Sequence, residues 1–300
     1  MKREDVLAKL TEATLQLTDS ESWQRWLRTR RSFHSYSFRN QILISVQRPT
    51  VKDPVTDELN VTAEYATRVA GFRAWQKLGY QVVKGANGIG ILAPCRPSKK
   101  QLEAAKNGGE EPKVFFTGAN VFDISQTVPI EGKAQELDAP GIWGGAIGPD
   151  DPDLFADLCL AAINHLGLID VIREDLPGKA RGAYAPWAES ITVDDQVAGA
   201  EAVAVFVHEL AHHVDHTLPG RIDRYDIGEL VAESAAFMVC DSLGIDSSGA
   251  AVFYVAHWTK DIEDPKAALS AVAGRVLEVA AAIEEALRSQ RAESCMTSST

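Results

Sequence analysis

Apolar residues recur at helical spacing over the first 30 residues, and a second such stretch covers residues 33–46. Residues 50–64 are polar and acidic, so the pattern predicts a loop there. A short helix ending near Gly79 and apolar strands separated by glycines follow, up to residue 92 and again over residues 114–124. Residues 98–112, rich in Lys, Glu and Gly, are predicted to form a hairpin tip. The N-terminal part is therefore expected to mix helices with strands.

Glycine and proline are concentrated in residues 128–150, which are predicted to be a linker. Beyond it, helices are predicted at residues 151–166, 198–215 and 227–243, with a β-hairpin at residues 180–193. Another helix is expected to begin within residues 253–259, and a long alanine-rich helix covers residues 265–288. The pattern predicts an α+β protein with an N-terminal domain (residues 1–127) and a mainly helical C-terminal domain (residues 151–300).

The net charge also differs between the N-terminal and C-terminal parts of the chain. The 300 residues carry a formal net charge of −12, but residues 1–118 hold 19 Lys and Arg against 12 Asp and Glu, or +7. The remainder holds 11 basic and 30 acidic residues, or −19. A basic segment of this kind is typical of a surface that meets a polyanion, and it is equally typical of an ordinary solvated face.

Composition also excludes several classes. The four cysteines have no CxxC spacing, which argues against a disulfide framework and a cysteine-based zinc site. No apolar run approaches about 18 residues, and no signal-peptide pattern follows Met1. We therefore expect a cytoplasmic protein without a membrane partner.

Candidate metal chemistry lies in VFVHELAHH, residues 205–213. His208 and His212 are one helical turn apart and therefore share a face, where they can offer two imidazoles to one Zn²⁺. Glu209 projects beside such a metal, where it can take a proton from metal-bound water. His213, Asp215 and His216 are predicted to be surface residues.

A catalytic zinc site needs a third protein ligand and one open position. His216 lies a full turn beyond His212, and the position six residues after His212 is Leu218, not histidine. The next predicted helix offers Glu229 and, four residues later on the same face, Glu233. From the residues alone, either glutamate is a possible ligand.

This second helix resembles that of the gluzincin metallopeptidases, through Glu229, Ala232 and Glu233. The resemblance implies that Glu229 binds zinc and that Glu233 orients a ligand histidine, with the reverse assignment as the alternative. It implies a zinc-dependent peptidase in which Glu209 is the general base. A second electrophile usually stabilises the oxyanion in such sites. The candidates are Tyr184, Tyr225 and Tyr254.

Aromatic and basic residues interleave over residues 23–48 and 68–84, as they do in proteins that hold single-stranded nucleic acid by stacking and phosphate contacts. Aromatic residues at helical spacing are also typical of a core, so both interpretations stay open. The candidate DNA-binding residues are Arg30, Arg31, Phe33, Tyr36, Phe38, Arg39, Asn40, Arg48, Arg68, Arg73, Trp75, Lys77 and Lys84.

Several stretches of this region resemble the N-terminal domain of ArdC-type antirestriction proteins. They are FHSYSFRNQ (residues 33–41), QRP (47–49), ATRVAGFRAWQKLG (66–79), VKGANGIGILAP (83–94) and VFDISQT (121–127). In that family the module binds single-stranded DNA and precedes a zincin-like metalloprotease domain, the order found here. The chain departs from the family by an acidic insertion at residues 50–65, which is expected to cover or reshape part of the binding surface.

The resemblance implies an antirestriction protein of a mobile genetic element, with single-stranded DNA and an unknown protein substrate, such as a host restriction or DNA-processing protein, as partners. Two other hypotheses stay open. One is a DNA-coating protein whose zinc domain is structural and inactive. The other is a cytoplasmic regulatory metalloprotease unrelated to restriction.

Overall fold

The computed structural model describes residues 3–33, 36–95, 115–137, 151–247 and 264–297. The chain forms two compact units, one from residues 1–15 and 32–138 and the other from residues 16–31 and 139–300. The predicted α+β class is confirmed. The predicted hairpin tip at residues 98–112, the predicted helix start at residues 253–259 and most of the predicted linker lie outside the described residues.

The apolar stretch at the N-terminus forms two helices rather than one. These are α1 (Arg3–Gln16) and α2 (Ser20–Phe33). The Asp19 carboxylate accepts a hydrogen bond from the backbone N–H of Ser22 at 2.9 Å, which satisfies a free donor of the first turn of α2. This cap begins a new helix where the periodic pattern alone suggested continuation.

Helices α3 (Phe38–Ser45) and α4 (Phe72–Lys77) and a 3-10 helix (Ile124–Gln126) also belong to the N-terminal unit. Its strands pair antiparallel in the orders β2-β1-β5, β3-β7-β6 and β4-β8. They are β1 (Thr50–Lys52), β2 (Leu59–Val61), β3 (Val69–Ala70), β4 (Tyr80–Val82), β5 (Ala86–Asn87), β6 (Ile89–Cys95), β7 (Phe115–Asp123) and β8 (Thr127–Pro129).

The longest pairing, between β6 and β7, determines the core of this unit. Its register places Ile89 opposite Val121 and Ile91 opposite Ala119, so these side chains share one face of the ribbon. That face packs against Phe33 from the end of α2, together with residues of α3 and β3. Because successive side chains of a strand point to opposite faces, the residues between these positions lie on the other face of the ribbon.

Two predictions for this unit are corrected. Residues 50–64, predicted to be a loop, form the hairpin of β1 and β2, because the Asp53 carboxylate accepts N–H bonds from Val55 and Thr56 and closes a turn. The start of the predicted linker is also ordered, since β8 pairs with β4 and the backbone N–H of Gln135 donates to the carbonyl of Leu78. Residues 128–137 thus belong to the N-terminal unit.

The C-terminal unit contains α5 (Leu154–Leu166), β9 (Asp170–Glu174), β10 (Gly182–Ala185), β11 (Ser190–Asp194), α6 (Gly199–Thr217), α7 (Tyr225–Ser242) and α8 (Pro265–Thr297). Strands β10 and β11 form the predicted hairpin, and β9, which the pattern did not predict, adds parallel to β11. Helix α6 packs against α7 and both hairpin strands, and α8 packs against α5, α6 and α7. None of the helices in the described ranges is both long and apolar enough to cross a membrane.

Residues 16–31, from the start of the chain, belong to this second unit. Trp23 and Trp26 of α2 are fully buried, and the indole N–H of Trp23 donates to the hydroxyl of Ser234 on α7 at 2.8 Å. The division at residue 127 predicted from the sequence therefore differs from the two units of the structure in this helix. Two tryptophans of the basic N-terminal stretch are core residues.

Candidate metal centre

His208 and His212 lie on the same face of α6, with ring centroids 4.9 Å apart. Helix α7 brings Glu229 to them. Its carboxylate oxygens lie 3.9 Å from His208 Nε2 and 3.6 Å from His212 Nε2. One potential ligand atom from each residue lies within 4.8 Å of the others, so the three groups can close on one cation.

Glu233 approaches the other side of the first histidine. Its Oε2 lies 3.0 Å from His208 Nδ1, which donates to it. A donor at Nδ1 leaves the lone pair at Nε2, the nitrogen that faces Glu229. This geometry favours Glu229 as the ligand and Glu233 as the residue that orients His208, over the reverse assignment.

The electrostatics of the cluster reflect its density of charge. Burial tends to lower the pKa of His208, but the Glu233 hydrogen bond and three nearby carboxylates prevail and raise it. The hydrogen bond with His212 lowers the pKa of Glu229. Burial raises the pKa of Glu209. A cation that replaces these protons satisfies the carboxylates and imidazoles together.

Glu209 is held between α6 and the hairpin. Its carboxylate accepts a hydrogen bond from the backbone N–H of Tyr184, and Gly182 lies two positions earlier on the same strand. A Cβ there would lie 2.7 Å from Val205 Cγ1 and 2.9 Å from Glu209 Cγ, distances that real Cβ atoms do not show. The absence of a side chain at Gly182, which the sequence did not single out, is what leaves room for Glu209.

The predicted oxyanion-stabilising tyrosines have other partners. The Tyr184 hydroxyl lies 3.2 Å from His213 Nδ1, and His213 Nε2 lies 2.9 Å from the carbonyl of Leu166. A carbonyl only accepts, so Nε2 donates to it, and in a neutral imidazole Nδ1 then accepts from Tyr184. Tyr225 is 83% exposed and hydrogen-bonded to Glu229. Tyr254 lies outside the described residues.

The prediction that His213 and Asp215 are surface residues is wrong. Both are buried: His213 has the two partners just described, and Asp215 Oδ1 forms an ion pair with Arg275 Nε at 2.6 Å. Arg275, itself 4% exposed, also donates to the carbonyls of Asp215, Leu218 and Pro219. It thereby satisfies free carbonyls at the C-terminal end of α6. His216 is exposed, as predicted.

Two cavities meet at Glu209. The larger, about 410 Å³, is lined by His208 and Glu233 and by the apolar side chains of Val205, Ala236 and Phe237. The smaller, about 250 Å³, is lined by the following residues: Tyr184, Pro186, Glu209, His212, His216, Arg221, Tyr225, Gly228 and Glu229. Arg221 was missed by the sequence analysis, because a lone arginine between two helices has no distinguishing pattern.

Three of the candidate DNA-binding residues belong to the core of the N-terminal unit. Phe33 and Trp75 are buried, and the Trp75 indole N–H donates to the carbonyl of Phe122. The Asn40 amide exchanges two hydrogen bonds with the backbone of Leu92 on β6. This corrects the prediction, because none of the three can contact a base without leaving its packing partners.

The remaining candidates divide by exposure. Arg39, Arg48, Arg73, Lys77 and Lys84 are exposed, while Tyr36, Phe38 and Arg68 are half-buried. The side chains of Arg30 and Arg31 lie outside the described ones. Two further aromatic residues, Phe72 and Phe116, are exposed, and neither is among the DNA-binding candidates named from the sequence. They differ from the buried aromatic residues in the face of the helix or strand on which they lie, and the hydrophobic periodicity of the sequence did not distinguish these faces.

Fold and site together define an α+β protein whose second unit brings two histidines of an HExxH helix close to a glutamate of the following helix. Residues 3–122 match the family model of the N-terminal domain of anti-restriction factor ArdC. This match confirms the resemblance to ArdC-type proteins.

Solved structures are similar over most of the chain. The metal-free crystal structure of antirestriction protein ArdC from plasmid R388 matches with a TM-score of 0.58 and 18% identity, covering 93% of this chain and 98% of that one. Its Mn(II)-bound structure matches with a TM-score of 0.47 and 20% identity, covering 74% and 81%. The first match shows a shared fold.

A curated relative is an uncharacterised protein of Bacillus anthracis. It is 25% identical over 292 residues, which cover 85% of this chain and 46% of the relative. The chain thus spans about half the length of this relative.

Proposed function

We propose that this chain is an antirestriction protein that binds single-stranded DNA through its N-terminal unit and hydrolyses peptide bonds at a zinc site in its C-terminal unit. The observation that carries the hydrolase proposal is the convergence of His208, His212 and Glu229, with Glu209 beside them on the same helix. Two imidazoles and one carboxylate, with a position left for water, are a donor set typical of catalytic zinc.

The chain's own residues divide the chemistry between them. A bound Zn²⁺ would supply a water of lowered pKa and polarise the substrate carbonyl. Glu209 is the group that takes the proton from that water and delivers it to the leaving amine. Burial raises its pKa, which makes this carboxylate a stronger base toward the proton of the water. Glu233 keeps His208 in the tautomer whose Nε2 is free.

Metal binding tests the first step. Purified protein stripped with a chelator is titrated with Zn²⁺ and with Mn²⁺, and bound metal and the melting temperature are measured. At a hundredfold excess over Kd, the ion should stabilise the wild type by about 2.7 kcal/mol. His208→Ala and Glu229→Ala should lose this stabilisation, whereas Glu209→Gln should keep it. Equal binding by all four proteins would refute the ligand set.

The DNA-binding proposal is supported by five exposed cations and two exposed aromatic side chains of the N-terminal unit. The cations are Arg39, Arg48, Arg73, Lys77 and Lys84, and the aromatic residues are Phe72 and Phe116. Affinity for a fluorescent oligonucleotide should fall with salt, with a log–log slope of about −0.7 per phosphate contacted. Arg73→Ala should reduce this slope, whereas Lys52→Ala, whose ammonium is paired with Asp57 at 2.6 Å, serves as the matched control.

The antirestriction role is proposed from the ArdC N-terminal domain and the shared fold, with a host restriction or DNA-processing protein as substrate. The assay is transfer of unmodified DNA into a restricting host that expresses the protein. If proteolysis is required, Glu209→Ala abolishes protection while oligonucleotide binding survives. If this variant protects fully, the chain acts by coating DNA and its metal domain is structural.

A further inference from the structure

The smaller cavity beside Glu209 is lined by a positively charged side chain, Arg221, that the proposed reaction does not use. Arg221 lies in the segment between α6 and α7 and lines the cavity together with His212 and Glu229, two of the proposed metal ligands. No other Lys or Arg lines this cavity among the residues that the structure describes. The arginine therefore borders the space that a substrate must enter to reach the metal.

The charge of Arg221 is only partly neutralised. Its Nε lies 3.4 Å from Asp215 Oδ2, and its Nη1 lies 3.7 Å from the exposed carboxylate of Asp223. Asp215 is already paired with Arg275 at the shorter distance of 2.6 Å. Two arginines thus share one buried aspartate, which anchors Arg221 without neutralising it.

Other polar side chains of the cavity are less suited to bind an anion. The hydroxyl of Tyr184 is directed to His213, and that of Tyr225 is directed to Glu229. Partial desolvation, and then the charge of Arg221, lower the pKa of His216, which disfavours the charged form of its imidazole. Arg221 is left as the cavity's positive side chain, in a part of the chain that carries −19 overall.

We propose that Arg221 binds a carboxylate group of the substrate beside the metal, so that the hydrolysed peptide bond lies next to a free C-terminus or an acidic side chain. A guanidinium presents two parallel N–H donors that match the two oxygens of a carboxylate. This inference rests on the proposed metal site and adds the class of substrate to it.

The test uses ligands that bind the metal without turnover. Zn²⁺-loaded protein is titrated with three succinyl hydroxamates, coupled to alanine with a free carboxylate, to alaninamide, and to aspartic acid α-amide. Wild type should bind at least one carboxylate probe about tenfold more tightly than alaninamide, since a charge-assisted hydrogen bond to a shielded site is worth about that factor. Preference for the alanine probe identifies a C-terminal carboxylate, and preference for the aspartate probe identifies an acidic side chain.

Variants test whether Arg221 causes this preference for carboxylate probes. Arg221→Gln should bind all three probes equally and retain Zn²⁺ affinity, and Arg221→Lys should recover part of the preference. Asp215 keeps Arg275 in both, so the fold is retained. Arg181→Gln, which removes a cation from the larger cavity, is the matched control and should leave the preference unchanged.

The outcomes separate the two proposals. Wild-type protein that binds Zn²⁺ but holds the three probes equally overturns the role of Arg221 and leaves the metal site intact. A preference that persists in Arg221→Gln does the same. Failure of the wild type to bind Zn²⁺ overturns the proposed function, and this inference with it.

Discussion

Replacing Gly182 with alanine tests whether the hairpin and the HExxH helix are packed as tightly as the structure indicates. The new methyl group would meet Val205 Cγ1 at 2.7 Å and Glu209 Cγ at 2.9 Å. Val205 is β-branched and lies within a helix, so it cannot rotate away easily. Glu209 must therefore shift, or β10 must separate from α6.

The expected magnitude combines two opposing effects. Inserting a methyl group into a packed site costs about 1–3 kcal/mol. Gly182 does not have a positive φ, so alanine also restricts the unfolded chain and contributes about 0.4–1 kcal/mol in favour of folding. The net expectation is a loss of about 1–2 kcal/mol. Urea unfolding of the metal-free protein measures it, and Zn²⁺ affinity should change little because the metal ligands remain.

Double-mutant cycles identify the clash. In the Glu209→Ala and Val205→Ala backgrounds, Gly182→Ala should cost about 1 kcal/mol less than in wild type, because one contacting group has been removed. Gly274→Ala in α8, where nothing lies within 4 Å of the new Cβ, is the control and should stabilise the protein by about 0.5–1 kcal/mol. If Gly182→Ala costs the same in all three backgrounds, the close approach of hairpin and helix is refuted.

Three further results are expected. Arg275→Met should destabilise the protein by about 3–5 kcal/mol in urea unfolding, because it leaves Asp215 and the carbonyls at the end of α6 buried without this donor. The control, Arg288→Met, removes a partner of an exposed ion pair and should change stability by less than about 1 kcal/mol. Desolvation raises the pKa of the half-buried Cys159 thiol and of the buried Cys240 thiol to about 12, so at pH 8.5 only roughly one thiol in a few thousand is ionised. Peptide mass spectrometry should therefore find neither residue alkylated by iodoacetamide in native protein, and rapid modification of both would contradict these raised pKa values. Chelation of bound Zn²⁺ should lower the melting temperature of wild-type protein, and re-addition should restore it; a melting temperature indifferent to the ion argues against a site in the native state.

Much of the C-terminal fold and of the candidate metal site could be predicted from residue periodicity and spacing in the sequence. The apolar pattern around residues 205–213 predicted a buried helix, and the four-residue interval of its histidines predicted that they share a face. The same interval between Glu229 and Glu233 predicted that both reach the site. These inferences hold because side-chain direction along one helix follows from residue spacing alone.

Tertiary structure decided which equivalent side chains are exposed. Trp75 and Phe72 lie three residues apart in α4, yet Trp75 is fully buried and Phe72 is half exposed. His213 and His216, also three apart, divide in the same way: both rings meet Tyr184 of the hairpin, but His213 is also hydrogen-bonded to the carbonyl of Leu166 at the end of α5. Residue type could not separate the members of either pair.

The sequence by itself determined the helices of the C-terminal unit, the β10–β11 hairpin, the metal-ligand pattern and the resemblance to ArdC, because each depends on residues close together in the chain or on a recurring motif. The tertiary structure alone decided which glutamate faces which imidazole nitrogen, that Gly182 leaves room for Glu209, and that Arg221 shares Asp215 with Arg275. Those contacts join segments distant in sequence, and their geometry depends on how helices and strands pack rather than on any local pattern.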